Sequence, residues 1–157
     1  MRICPECKEA VPPAQSSCVA CGADVSGTGE VDADDMVGMR LGGRYELREL
    51  LGQGAMGWIY RGEHESLGSS VAVKLMKPQL RPDEFRAKRF SREAKASSRL
   101  NHPNIVATID FGETRAGLLY LVSEYVRGEP LSRLVDREGA LAPSRAIGMV
   151  MQVLQAL

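Results

Sequence analysis

Arg44 to Leu51 (RYELRELL) alternates apolar and polar positions as a strand does, and Trp58 to Gly62 (WIYRG) is rich in aromatic and β-branched residues, which predicts a second strand. The run between them, Gly52-Gln53-Gly54-Ala55-Met56-Gly57, is glycine-rich, and the turn-like SLGSS follows the second strand. The glycines therefore join two antiparallel strands. Val71 to Met76 predicts a third strand, with Val71, Val73 and Leu75 on one face and Ala72, Lys74 and Met76 on the other. From Asp83 to Leu100 the spacing turns helical, with Phe90, Ala94, Ser97 and Leu100 on one side and Glu93 on or beside it. Leu118 to Val126 predicts a buried strand running into a connector. Pro143 to Leu157 predicts an amphipathic helix striped by Ile147, Val150, Leu154 and Leu157.

Ahead of these elements, 25–43 reads VSGTGEVDADDMVGMRLGG, with five glycines and a cluster of Glu30, Asp32, Asp34 and Asp35. Such a composition predicts a flexible acidic tether, with an acidic docking segment as the alternative. The tether divides the chain into a module over 1–24 and another over 44–157, each expected to fold without the other. At 44% apolar and 25% charged, the 157 residues fall in the range of soluble globular proteins. Twenty basic residues balance twenty acidic ones, which leaves no electrostatic case for nucleic acid or an anionic membrane. No apolar run reaches the roughly 18 residues a membrane span needs. The first ten residues, MRICPECKEA, do not form an export signal, so a cytoplasmic setting is expected.

All four cysteines lie in the first module, as Cys4-Pro-Glu-Cys7 and Cys18-Val-Ala-Cys21. A two-residue gap lets two thiolates turn onto one ion, and two such knuckles supply a closed tetrahedral Zn²⁺ site. The alternatives, a disulfide or a redox pair, call for an export signal or a βαβ context. About 25 residues bury too little apolar area to hold a fold, so the metal has to supply most of the stability. The segment resembles the short zinc ribbons found at the ends of many bacterial proteins. Gly22 suits the ribbon turn, whereas Lys8 stands where the first knuckle often carries glycine.

The GxGxxG spacing by itself also marks dinucleotide-binding folds, but there the third glycine opens a helix. Here a strand follows. Lys74 sits among apolar neighbours and calls for an anionic partner, and Ala72 on the same face leaves room for a flat ligand. A glycine hairpin followed by such a lysine suits a site where backbone amides cover phosphates and an ammonium grips them.

With these residues in place, the chain from Arg44 to Leu157 resembles the N-terminal lobe of a protein kinase, most closely the bacterial serine/threonine kinases related to eukaryotic ones. LGQGAMGWIY is similar to the family's phosphate-covering loop and VAVKLM to the strand bearing its ATP lysine. The fold this implies is α+β: a five-stranded antiparallel sheet with one long helix, the first helices of a C-terminal lobe, and the small zinc ribbon in front. The resemblance implies ATP as substrate and Mg²⁺ as its companion, and protein serine or threonine hydroxyls as acceptors. It implies that Lys74 and Glu93 pair and hold the α- and β-phosphates; otherwise Glu93 is a solvated glutamate. Gly52, Gln53, Gly54, Ala55 and Gly57 would cover the phosphates, and Leu51, Ile59 and Ala72 would roof the adenine unless they serve only as sheet packing. Ser123 would be a small gatekeeper, and the backbones of Glu124 and Val126 would meet the adenine edge.

The family's His-Arg-Asp loop follows the helix read here at Pro143 to Leu157, and no such triplet occurs in the 157 residues. The expectation is therefore the ATP-binding portion of a kinase, inactive alone. The alternative is a non-catalytic nucleotide-binding or interaction protein carrying a zinc ribbon. Asp110-Phe111-Gly112 spells the family's magnesium motif, but it precedes the connector and is read as a decoy. His102 is expected to pack or cap, and His64 to sit exposed in a polar turn.

Overall fold

The computed structural model describes residues 2–29, 36–55, 57–76 and 84–157, with the side chains of 84–87, 89 and 93 excepted. A two-stranded hairpin, β1 (Arg2–Ile3) with β2 (Ala10–Val11), opens the chain. The main sheet contains β3 (Arg40–Leu41), β4 (Tyr45–Gln53), β5 (Gly57–His64), β6 (Ser69–Met76), β7 (Thr108–Glu113) and β8 (Leu119–Glu124). All its pairings are antiparallel, in the order β3-β4-β5-β6-β8-β7. Helix α1 (Glu84–Ser97) lies between β6 and β7 and packs against β7; α2 (Leu131–Glu138) and α3 (Pro143–Gln155) end the chain.

Strand alternation decides which face is core. On β6, Val71, Val73 and Leu75 are buried while Ala72, Lys74 and Met76 are half-buried on the opposite face. The buried set joins Tyr45, Leu47, Tyr60, Tyr120 and Val122 in one cluster. Met36, Met39 and Leu41 complete that cluster, each fully buried.

This corrects the tether expected over 25–43, at least from residue 36 onward. Gly38 donates its N–H to Leu47 O at 2.7 Å, and Leu47 donates back to Met39 O at 2.9 Å. Left-handed backbone at Gly38, Gly42 and Gly43 turns the segment beneath the sheet. Three of the five glycines that suggested flexibility are thus turn residues, and β3 makes the sheet six-stranded instead of five. Residues 30–35, with the acidic cluster, lie outside the described residues.

The second and last strands in the order, β4 and β7, meet through side chains. Tyr45 donates its hydroxyl to Asp110 at 3.0 Å, and Arg44 pairs with the same carboxylate at 2.8 Å. The other Asp110 oxygen accepts the N–H of Phe111. The Tyr120 ring fills the space above Gly112, where a Cβ would come within 2.5 Å of its hydroxyl. His64, expected in an exposed turn, instead ends β5 half-buried, with its ring edge-on to Tyr45 at 5.1 Å. Its register places it directly opposite Tyr45 across the β4–β5 ladder.

Burial, helped by Asp110, pushes the Tyr45 phenol up to about 12. The folded chain keeps this proton between about pH 10 and 12, where an unfolded tyrosine loses it, so stability falls with rising pH across that window. Tyr45→Phe is expected to cost about 1 kcal/mol near neutral pH, through the lost hydrogen bond. It should also flatten the alkaline loss. Urea melts of both proteins at pH 7.5 and 10.5 check this; equal alkaline losses would refute it.

The inward face of α1 is shorter than its sequence suggests. Ala94 is buried and Phe90 half-buried, but Ser97 is exposed and Leu100, also exposed, lies past the helix end. On α3 no side chain is buried, and Ile147, Val150 and Leu154 are each more than half exposed. The amphipathic stripe therefore has no cover among the described residues. No helix of the described residues is long and apolar enough to cross a membrane.

Candidate functional site

The glycine run forms the tip of the β4–β5 hairpin, where Gly54 donates its N–H to Gly57 O at 2.9 Å. Register irregularities between Leu47 and Glu49 and between Leu50 and Gly52 add twist to β4 as it approaches the tip. The three glycines differ in what a side chain would meet. A Cβ on Gly52 would meet nothing, and one on Gly54 only an ordinary contact at 3.9 Å. A Cβ on Gly57 would overlap the Leu75 carbonyl, because β5 and β6 approach closely there. Two glycines thus leave a face open to a ligand, while the third serves strand packing. Met56 lies outside the described residues.

Beneath the hairpin lies a cavity of about 560 Å³, lined by Leu51, Ile59, Ala72, Lys74, Val106, Leu121, Ser123, Glu124, Tyr125, Val126 and Pro130. That volume suits a small organic ligand. Leu51, Ile59, Ala72, Lys74, Ser123, Glu124 and Val126, singled out in the sequence, all come together here. Gly52, Gln53, Gly54, Ala55 and Gly57 sit in the hairpin tip and do not line the cavity. Leu121 shares a face with Ser123, so its place was readable from alternation. Val106, Tyr125 and Pro130 lie in irregular segments and had no role read for them in the sequence, although Tyr125 falls between Glu124 and Val126.

Lys74 pairs with Ile59 on one side and Leu121 on the other, so its position is fixed by two ladders. Among the described side chains its ammonium has no carboxylate partner. Glu93 lies on α1, but its side chain is outside the described residues. The connector after β8 is held by Glu124, which donates its N–H to Ala107 O at 3.0 Å and accepts the Ala107 N–H on its carboxylate at 2.8 Å. His102 caps the loop after α1, accepting the N–H of Asn104 at 3.1 Å. Asp110 is committed to Tyr45, Arg44 and Phe111, and does not line the cavity.

The four cysteines form a second cluster. Cys4 and Cys21 sulfurs lie 3.6 Å apart, as do those of Cys7 and Cys18, and all four sit within 4.8 Å of one another. Sulfurs about 2.3 Å from a tetrahedral ion would be separated by about 3.8 Å, so this donor set fits Zn²⁺. The separations are far beyond the roughly 2.05 Å of a disulfide.

The two knuckles share one hydrogen-bond pattern. Cys4 donates to Glu9 O and Lys8 to Cys4 O, just as Cys18 donates to Ala23 O and Gly22 to Cys18 O. Lys8, at φ +60°, adopts the left-handed conformation that Gly22 holds at φ +80°. Burial is the largest influence on the Cys18 thiol and raises it, yet the N–H groups of Ala20 and Cys21, with the neighbouring thiols, outweigh burial and bring it down to about 7. At Cys18 that favours the thiolate a metal requires. The Cys7 thiol goes the other way, pushed up to about 12 chiefly by burial, so bringing all four sulfurs to the thiolate form falls to the ion itself.

The protein kinase domain family model matches residues 45–157. Serine/threonine-protein kinase pkn3 of Myxococcus xanthus is 41% identical over 126 residues, covering 80% of this chain and 23% of that protein. Serine/threonine-protein kinase PrkC of Bacillus subtilis is 35% identical over 122 residues, 78% of this chain and 19% of the relative. The crystal structure of the Mycobacterium tuberculosis PknI kinase domain superposes with a TM-score of 0.63 at 31% identity, over 76% of this chain and 48% of that domain. The chain thus spans less than a quarter of these two curated relatives and about half of a solved kinase domain. It belongs to the protein kinase domain family, and its residues 45–157 make up the N-terminal part of that fold.

Proposed function

We propose that the chain is the ATP-binding portion of a serine/threonine protein kinase that transfers the γ-phosphoryl of ATP to protein hydroxyls. One observation carries this reading: seven residues chosen from the sequence as adenine roof, gatekeeper, hinge and phosphate lysine line a single cavity. Leu51, Ile59 and Ala72 would clamp the base, while the backbones of Glu124 and Val126 would meet its polar edge. Lys74 would hold the α- and β-phosphates with Glu93 as its orienting partner, and the open faces at Gly52 and Gly54 would let backbone amides approach. Mg²⁺, when bound, neutralises phosphate charge. Among the described residues the one group of three or more metal-donor side chains is the cysteine set, so no residue of this chain is assigned to magnesium.

The four cysteines are proposed to hold one structural Zn²⁺, closing a ribbon over residues 1–24. A site of four thiolates suits a reducing compartment, which supports a cytoplasmic setting.

In the reaction, the substrate hydroxyl oxygen attacks the γ-phosphorus and gives up its proton to a base, the bond from the γ-phosphorus to the β–γ bridging oxygen breaks, and ADP leaves. These residues would position the nucleotide only, so the purified 157-residue chain is expected to phosphorylate no generic protein substrate. A longer chain that includes a His-Arg-Asp loop should be active and should depend on Lys74 and Glu93. Phosphorylation by a homogeneous 157-residue preparation, lost in Lys74→Met, would overturn this division of labour. Dependence on Asp110 would overturn its dismissal as a decoy.

A further inference from the structure

The cysteine module and the kinase-like lobe share a core. On the β1–β2 hairpin, Ile3 and Ala10 are register partners and so lie on one face. Ala10, almost fully buried, belongs to the cluster of the main sheet, and Ile3 packs against that cluster. The next residue, Val11, belongs instead to the cluster of Cys4, Cys18 and Val25. A two-residue strand thus presents one side chain to the lobe and the adjacent one to the metal-binding core.

Hydrogen bonds reinforce the junction. Arg40 donates its backbone N–H to Lys8 O at 3.2 Å, joining β3 to the residue directly after Cys7. Arg115, in the turn between β7 and β8, donates to Val19 O inside the second knuckle at 3.3 Å. From Arg40 the connection continues without a gap. β3 pairs with the start of β4, and the Gly38, Met39 and Leu47 bonds clamp the same segment onto that strand. β4 carries the glycine hairpin at its far end.

We infer that metal held by the four cysteines is a staple of the nucleotide-binding sheet: loading it orders β3 and the start of β4, and losing it loosens the strand that bears the glycine hairpin. The inference rests on the zinc reading given above. About 25 residues cannot keep the Ile3–Ala10 face in place without the ion. Once that face is lost, Met36, Met39 and Leu41 lose part of their cover and Arg40 loses its acceptor. Zinc occupancy then acts on the lobe from the side of the sheet opposite the cavity, which makes the ribbon part of the kinase-like fold and not a tethered passenger.

The test is hydrogen exchange on the whole 157-residue chain, zinc-loaded and after treatment with a strong chelator, with zinc counted in both samples. One equivalent before chelation, and exchange at least tenfold faster across residues 36–50 after it, is the expected result. β6 should change less, because β4 and β5 separate it from β3. One equivalent bound with no change across 36–50 overturns the staple while leaving the four-cysteine site intact. No zinc at any stage sinks the four-cysteine reading, and the staple with it. Ala10→Glu supplies an independent arm, since it spoils the shared face and leaves all four sulfurs in place. It should keep one zinc yet show fast exchange across 36–50 that chelation no longer alters; wild-type exchange in this variant would overturn the inference.

Discussion

Gly57→Val is expected to remove about 3 kcal/mol of stability, at the upper end of overpacking costs, because the colliding partner is backbone. The Cβ of any residue at 57 would overlap the Leu75 carbonyl, and neither strand can move without breaking the β5–β6 ladder that also fixes Lys74. For a domain whose total stability is typically about 5–15 kcal/mol, that is a large fraction. Gly54→Ala, three residues earlier in the same motif, should change stability by less than about 0.5 kcal/mol, since its Cβ meets only an ordinary contact. Urea unfolding followed by fluorescence of Trp58, the single tryptophan, compares the two variants directly. Trp58 packs against the main core, so it reports on this lobe. Similar midpoints for Gly57→Val and Gly54→Ala would show that the glycines do not divide into packing and ligand-facing roles.

The positions that carry chemistry were legible because their signals are local. Strand alternation put Ala72 and Lys74 on one face, and the glycine spacing located a hairpin that the hydrogen bond from Gly54 to Gly57 closes. Cysteine spacing alone brought four sulfurs onto one centre. What escaped notice depends on partners distant in the chain. Met36, Met39 and Leu41 are three apolar residues in a stretch dominated by glycine and acid, and their burial exists only because the inner face of the sheet receives them. Tyr45 and Asp110 are 65 residues apart, so nothing near either one announced the contact between β4 and β7. His64 was misplaced for the same reason, its neighbours being polar along the chain and aromatic across the ladder. Lys8 in a glycine conformation shows the converse, a local preference overridden by the knuckle's hydrogen bonds. Helix α2, implied only by the resemblance, was given no position, although Leu131, Leu134 and Val135 carry the i, i+3, i+4 spacing that would have located it.

Equilibrium titration of ATP into the 157-residue chain, with Lys74→Met measured alongside, tests the central claim most directly. Lys74 is the one cation lining the cavity among the described residues, and Ala72 on the same face leaves the width a purine ring needs. A charge-assisted hydrogen bond contributes about 1.5–3 kcal/mol, so removing the ammonium should weaken ATP binding about 10- to 100-fold. Thermal melting should be nearly unchanged, because the Lys74 head group is not part of the buried core. Weak, saturable binding of one ATP per chain, reduced to that extent in Lys74→Met, is the predicted result; no binding at all, or equal binding by the two proteins, would contradict the account.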